Sequence, residues 1–270
     1  MIKGYLMRSL KITFFLALLA CACVTAGSAR AAGDPLEELL RRTSEQINGY
    51  LERISEVSCS ERVLQEKLGD SGKTVEKEES AFNYLILLSS TNGEMNLVES
   101  RLVDQEKPAK KLQRPLLVSN GFATLFLVFH PYYAAGFKFT DDGQENVNGR
   151  ALAKIHFQHT PGTRTPAALA VGGREFPLEL SGTAWIDVET GTITRIAAGI
   201  ETGMEDVGLR TLRSDVEYAP VTFHNPPDTY WLPSEATIEV ETRHQHWRNT
   251  HRFSDYKRFS VNTKETQARQ

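Results

Sequence analysis

The chain has 270 residues, 40% of them hydrophobic and 24% charged, with a formal net charge of −3. Those totals describe an ordinary globular protein with enough residues for one sizeable core. Its mild acidity argues against a nucleic-acid binder, which would carry a basic stripe.

Lys3, Arg8 and Lys11 precede an apolar run, Ile12 to Ala20, and Ala29-Arg30-Ala31 follows as a small-residue cleavage site. This layout predicts a secretory signal peptide over residues 1–31 and an exported single domain over 32–270. Cutting there removes four of the 31 Lys and Arg and none of the 34 Asp and Glu, which leaves a net charge of −7. The alternative cut is at Leu18-Leu19-Ala20-Cys21, which resembles a bacterial lipobox in which Cys21 becomes the acylated first residue. Membrane contact then depends on that anchor, because the apolar run is interrupted and short of the roughly 20 residues of a span. After either cut the protein belongs to the periplasm or the outer-membrane surface. Cleavage after Ala31 leaves Cys59 alone, with no partner for an internal disulfide.

Asp34-Pro35-Leu36-Glu37 opens a helix, with Asp34 as N-cap and Pro35 at the first helical position. Leu36, Leu39, Leu40, Ile47, Tyr50, Leu51 and Ile54 recur at three, four and seven residues, the stripe of a long amphipathic helix that needs a sheet to lie on. Three strands follow as a meander: 58–68, 74–89 and 94–103, turned at Gly69 to Gly72 and at Asn92-Gly93. Asp104 to Pro115, with Lys107, Lys110, Lys111 and Arg114, reads as a solvated loop or as a basic lip for anionic headgroups.

Between Ser119 and Pro131, Phe122, Leu125, Phe126 and Phe129 fall at helical spacing, which predicts an apolar helix, buried in the core or lying as a lid over a greasy cavity. Strands are expected at 137–140 and 150–158, then a loop at 160–173. The clearest hairpin is Gly182 to Gly199, where two alternating arms flank Glu189-Thr190-Gly191. Further strands are expected at 209–218, at 234–247 and, after a turn at Arg248-Asn249, at 250–261, with a polar tail from Asn262. The sum is an α+β fold: a strongly curved antiparallel sheet or incomplete β-barrel of roughly ten or eleven strands, covered by a long N-terminal helix and a second apolar helix.

No nucleophile elbow, H-E-x-x-H motif, P-loop or dinucleotide fingerprint occurs, so the sequence predicts no catalytic residue, no cofactor and no enzyme. A turn at Arg248-Asn249 would bring His244, His246 and His251 to one face, the only arrangement that suggests zinc. Trp185, Trp231, Tyr230 and Trp247 read as packing around the sheet rather than as a ligand cage.

Val57-Ser58-Cys59-Ser60-Glu61 after a long helix, G-x-x-W-I-D-x-E-T-G-x-I-x-R over Gly182 to Arg195, Tyr230-Trp231-Leu232-Pro233, and Phe253 to Phe259 together resemble a family of exported bacterial proteins common in Acidobacteria. More remotely, the order of elements is similar to the lipoprotein-carrier superfamily of LolA, LolB and RseB. That resemblance implies an incomplete barrel closed by a helical lid around a hydrophobic cavity. The expectation is a non-enzymatic cell-envelope protein that holds a lipid, or the acyl chain of a lipoprotein, against Phe122, Leu125, Phe126 and Phe129. The first alternative is an interaction or sensor module with a solid core and an envelope protein as partner; the second is a zinc-dependent hydrolase.

Overall fold

The computed structural model describes residues 34–91, 94–102, 122–171, 174–224 and 226–259. The expected signal peptide with Cys21, the Asn92-Gly93 turn, the basic stretch 104–115 and the polar tail lie outside the described residues.

Helix α1, Pro35–Ile54, starts where the Asp-Pro signal places it, and buries Leu39, Thr43, Ile47, Leu51 and Ile54. The meander follows as β1 (Val57–Leu68), β2 (Thr74–Thr91) and β3 (Glu94–Leu102). The chain next reappears as a 3₁₀ segment, Phe122–Phe129, and one turn of helix, α2 (Pro131–Ala134). Then come β4 (Phe137–Val147) and β5 (Arg150–His159), a small separate hairpin of β6 (Ala168–Val171) and β7 (Arg174–Pro177), and β8 (Leu180–Asp187) with β9 (Ile193–Ile200). Last are β10 (Leu209–His224), β11 (Pro227–Thr242) and β12 (His246–Arg258).

Ten strands form one antiparallel sheet in the order β3-β2-β1-β12-β11-β10-β9-β8-β5-β4, which leaves β3 and β4 as its two edges. The sheet is an unclosed barrel of the α+β class. Register shifts in β1, β8 and β10 mark the bulges that bend such a sheet. Gly182 allows a further close approach: a Cβ there would lie 2.2 Å from the Ala197 carbonyl oxygen.

Alternation sorts the side chains as period 2 requires. Ile155, Phe157, Ala184, Ile186, Ile196, Val216 and Ala236 are fully shielded on the concave face. That face receives α1 and Leu125 to Phe129, each of these five at most 5% exposed. Topology explains the position of the 3₁₀ segment: the chain leaves the sheet at edge strand β3 and re-enters it at the opposite edge, β4. The described part of that connection, Phe122–Phe129, packs against β9, β10 and β11.

Three details differ from the sequence reading. The second helix is 3₁₀ over Phe122–Phe129, with only Pro131–Ala134 in α form. Thr160 to Gly173 is not all loop, since β6 pairs with β7 there. The turn between the last two strands falls at 243–245 rather than at Arg248-Asn249: the Thr242 hydroxyl accepts the Gln245 N–H at 3.1 Å, and the two backbones close the turn at 2.8 Å.

Candidate functional site

The concave space beneath α1 is organised along the helix. Near its C-terminal half, Ile47, Tyr50 and Arg53 face Phe126, Tyr218 and Trp231 across a partly open cavity of about 90 Å³. Near its N-terminal half, Leu40 and Ser44 face Phe129, Pro131 and Phe139 across a mainly apolar pocket of about 340 Å³. Leu40 and Tyr50 are ten residues apart, about 15 Å at the rise of an α-helix. The 3₁₀ segment fills the interval and supplies one aromatic wall to each pocket. We call it the plug.

Aromatic edges hold the plug. Phe126 meets Tyr50 edge-on with ring centroids 5.0 Å apart, and Phe129 packs on Phe139 at 5.2 Å and edge-on to Phe157 at 5.8 Å. Eight residues of 3₁₀ helix is long for that conformation, whose hydrogen bonds are poorer than those of an α-helix. Its place is therefore fixed mainly by side-chain packing. Of the residues expected to line a ligand site, Leu125, Phe126 and Phe129 are buried in the core cluster; for Phe122 the structure describes only the backbone.

Two tyrosines of the wall beside Phe126, Tyr50 and Tyr218, turn buried hydroxyls away from the open space, a feature the sequence did not single out. Tyr218 is 7% exposed, and neither its hydroxyl nor that of Tyr50 has a hydrogen-bond partner among the described residues. Burial and then the Tyr218 phenol raise Tyr50 well above its ordinary value, and burial and then the Glu99 carboxylate raise Tyr218, so both stay neutral. At the rim, the Arg53 guanidinium lies over the Tyr230 ring at 5.0 Å and reaches Asp228 only at 3.9 Å.

A second polar centre is built on β1, with partners from its neighbour β12 and from β3, which lies one strand beyond β2. Glu61 is fully buried and accepts two hydrogen bonds from Arg101, at 2.6 and 2.9 Å, and a third from His251 Nδ1 at 2.7 Å. Arg101 also pairs with Glu99 at 3.3 Å and lies 5.2 Å over the Tyr84 ring. Burial alone would raise the Glu61 carboxyl, yet the bonds from His251 and Arg101 outweigh it and hold the group below its ordinary range. Burial pushes the His251 imidazole down, against the pull of Glu61. Satisfied on every side, the carboxylate is a structural anchor.

The register disperses the three histidines. His246 and His251 have opposite parity on β12: His246 contacts Glu239 at 2.7 Å on the outer face, while His251 is buried against Glu61. His244 lies exposed in the turn. Among the described residues no group of three or more His, Cys, Asp or Glu is placed to hold a metal ion. Asp187, at the turn between β8 and β9, is buried, and its Oδ1 accepts the N–H groups of Glu189 and Thr190 at 3.0 and 2.9 Å. The thiol of Cys59 is buried, which pushes it up to about 12. It is a core residue, not a nucleophile.

No protein-family model matches the sequence. No curated protein matches it. Solved structures similar to this chain include a DUF1329 family protein from Desulfovibrio piger, at 13% identity and a TM-score of 0.45, over 86% of this chain and 96% of that one. A domain described as an outer membrane lipoprotein-sorting protein from Vibrio parahaemolyticus matches at 11% identity and a TM-score of 0.45, over 85% and 95%. A LolA superfamily protein from Nitrosomonas europaea matches at 10% identity and a TM-score of 0.38, over 84% and 94%. At these scores and identities no residue role and no ligand can be carried across.

Proposed function

We propose that this is a non-enzymatic protein of the cell envelope that shelters an acyl chain or similar apolar ligand beneath α1, in the space the plug now fills. The supporting observation is the pair of pockets flanking the plug, one ending on Phe126 and the other on Phe129. With the plug withdrawn, they join into one apolar trough along α1, lined by Leu40, Ile47, Phe139, Phe157 and Ile193. Each methylene buried there is worth about 0.8 kcal/mol, so binding needs no catalytic group. The plug then acts as a lid that has closed inward. Phe122, Leu125, Phe126 and Phe129 are the residues whose places the hydrocarbon takes. Export, by cleavage after Ala31 or by the alternative cut that leaves an acylated Cys21 as first residue, would deliver the protein to where lipids and lipoproteins are sorted.

Native mass spectrometry of protein purified without detergent tests this reading. A co-purifying amphiphile, or uptake of added palmitate at one molecule per chain, is the expected result. A bare chain that also leaves the fluorescence of Nile red unchanged contradicts it.

A second reading, an interaction module with a permanently solid interior, is favoured by one observation. Leu87 and Val98 face each other across β2 and β3 on the outer side, 46% and 47% exposed, and Leu102, four residues further along β3, is 55% exposed. Clustered apolar side chains at a sheet edge suit a protein partner. A partner recovered by the wild type and lost on Val98→Lys, with every lipid assay blank, would favour this reading.

A further inference from the structure

The pocket at the Phe129 end of the plug differs from the cavity at the Phe126 end in size and in lining. It measures about 340 Å³ against about 90 Å³ and is partly open to solvent. Leu40, Phe129, Pro131, Ala134 and Phe139 form most of its wall, and the polar residues beside them turn little polar surface towards it. The cause is plain for Arg41. Its guanidinium is tied to Glu38 at 2.6 Å and to Glu45 at 2.5 Å, neither of which lines the pocket, so its aliphatic stem rather than its charge faces the space. An accessible concavity with apolar walls favours hydrocarbon over water.

Its depth is limited by Phe129, which is 2% exposed and packs on Phe139 and Phe157. A methylene takes up about as much room as a water molecule, about 30 Å³, so the pocket has space for roughly ten carbons before Phe129 must move. We infer that this pocket is the entry subsite for a single unbranched hydrocarbon chain: chains of up to roughly ten carbons bind with the plug in place, and longer ones lift Phe129 and draw the plug out from that end. This rests on the acyl-chain reading above, and adds to it where the chain enters and what length of chain opens the lid. The opposite end offers no comparable entrance, since by the same measure its cavity has room for roughly three carbons.

The test is a series of fatty acids from octanoate to palmitate, each kept below micelle formation and titrated into the full protein by calorimetry. Affinity should rise about tenfold for every two carbons up to decanoate. It should then stall at dodecanoate, whose extra carbons must first displace Phe129, and rise again towards palmitate. Hydrogen exchange at 122–129 should be unchanged by decanoate and faster with palmitate. Ala134→Trp, which fills the pocket, should weaken decanoate by about tenfold or more. Ser44→Phe fills it from the helix side, and thermal unfolding shows which variant remains folded. An unbroken rise from octanoate to palmitate overturns the entry subsite and leaves the acyl-chain reading standing. So does decanoate that fails to bind, that speeds exchange at 122–129, or that binds a folded variant undiminished. Failure of palmitate to bind overturns both.

Discussion

Gly191 shows how one residue ties the hairpin to the helix. Its φ of +76° suits glycine, and a Cβ would lie 2.9 Å from the backbone of Arg42 and Thr43 in α1. The Arg42 side chain, in turn, donates to the Val188 and Glu189 carbonyls at 2.9 and 2.8 Å. Gly191→Ala should therefore destabilise the fold by about 2 kcal/mol, read as a lowered urea midpoint at unchanged slope. Glu61→Ala should be harsher, about 3–5 kcal/mol, because it removes the shortest ion pair of Arg101 and the hydrogen bond of His251 Nδ1 from the interior. The same centre sets the acid response. The folded-state pKa of Glu61 is depressed, so its contribution is present above the unfolded value and is lost as pH falls through the folded one. The lowered His251 pKa means that the unfolded chain takes up its proton first as pH drops below about 6.5. Both signs agree: stability should fall from about pH 6.5 downward, and Glu61→Gln should flatten the acidic part of that slope, which denaturation at several pH values would check. None of this cluster was legible in the sequence. Glu61 occupies an inward position of an alternating strand, and its partners Arg101 and His251 lie 40 and 190 residues further along. Thr43 escaped notice for a related reason: it breaks the apolar stripe of α1, yet it is fully buried and returns its hydroxyl to the Leu39 carbonyl at 2.9 Å.

At the scale of elements, α1 and the hairpin of β8 and β9 were readable because cap, stripe, alternation and turn glycine agree within a short stretch of sequence. The plug was readable only as apolar. Spacing could not separate α from 3₁₀ form, and its placement follows from a crossing between two sheet edges that only the assembled fold reveals. The misplaced last turn has a similar cause, since Thr242 closes it with a hydroxyl rather than with glycine or proline. A separable plug has an energetic signature. Truncating a residue in a segment that opens locally cannot cost more than the local opening itself. Phe157→Ala, in the sheet, should therefore cost about 3–5 kcal/mol. Phe126→Ala should cost distinctly less, despite equal chemistry and comparable burial of 0% and 3% exposure. Chemical denaturation of the two variants side by side decides it, and equal losses would mark the plug as an ordinary part of the core.

For the whole molecule, the central physical fact is an unclosed barrel whose core is shared between its strands, α1 and the 3₁₀ segment. Helix α1 covers it and a weakly hydrogen-bonded apolar segment occupies it. On the function proposed above, a hydrocarbon chain of similar length replaces this filler with little change in the sheet. Hydrogen exchange followed by mass spectrometry tests this most directly. On saturation with palmitate, peptides covering 122–129 should take up deuterium faster while those of β8, β9 and β10 stay unchanged. Unchanged exchange at 122–129 in the presence of bound ligand would contradict the account.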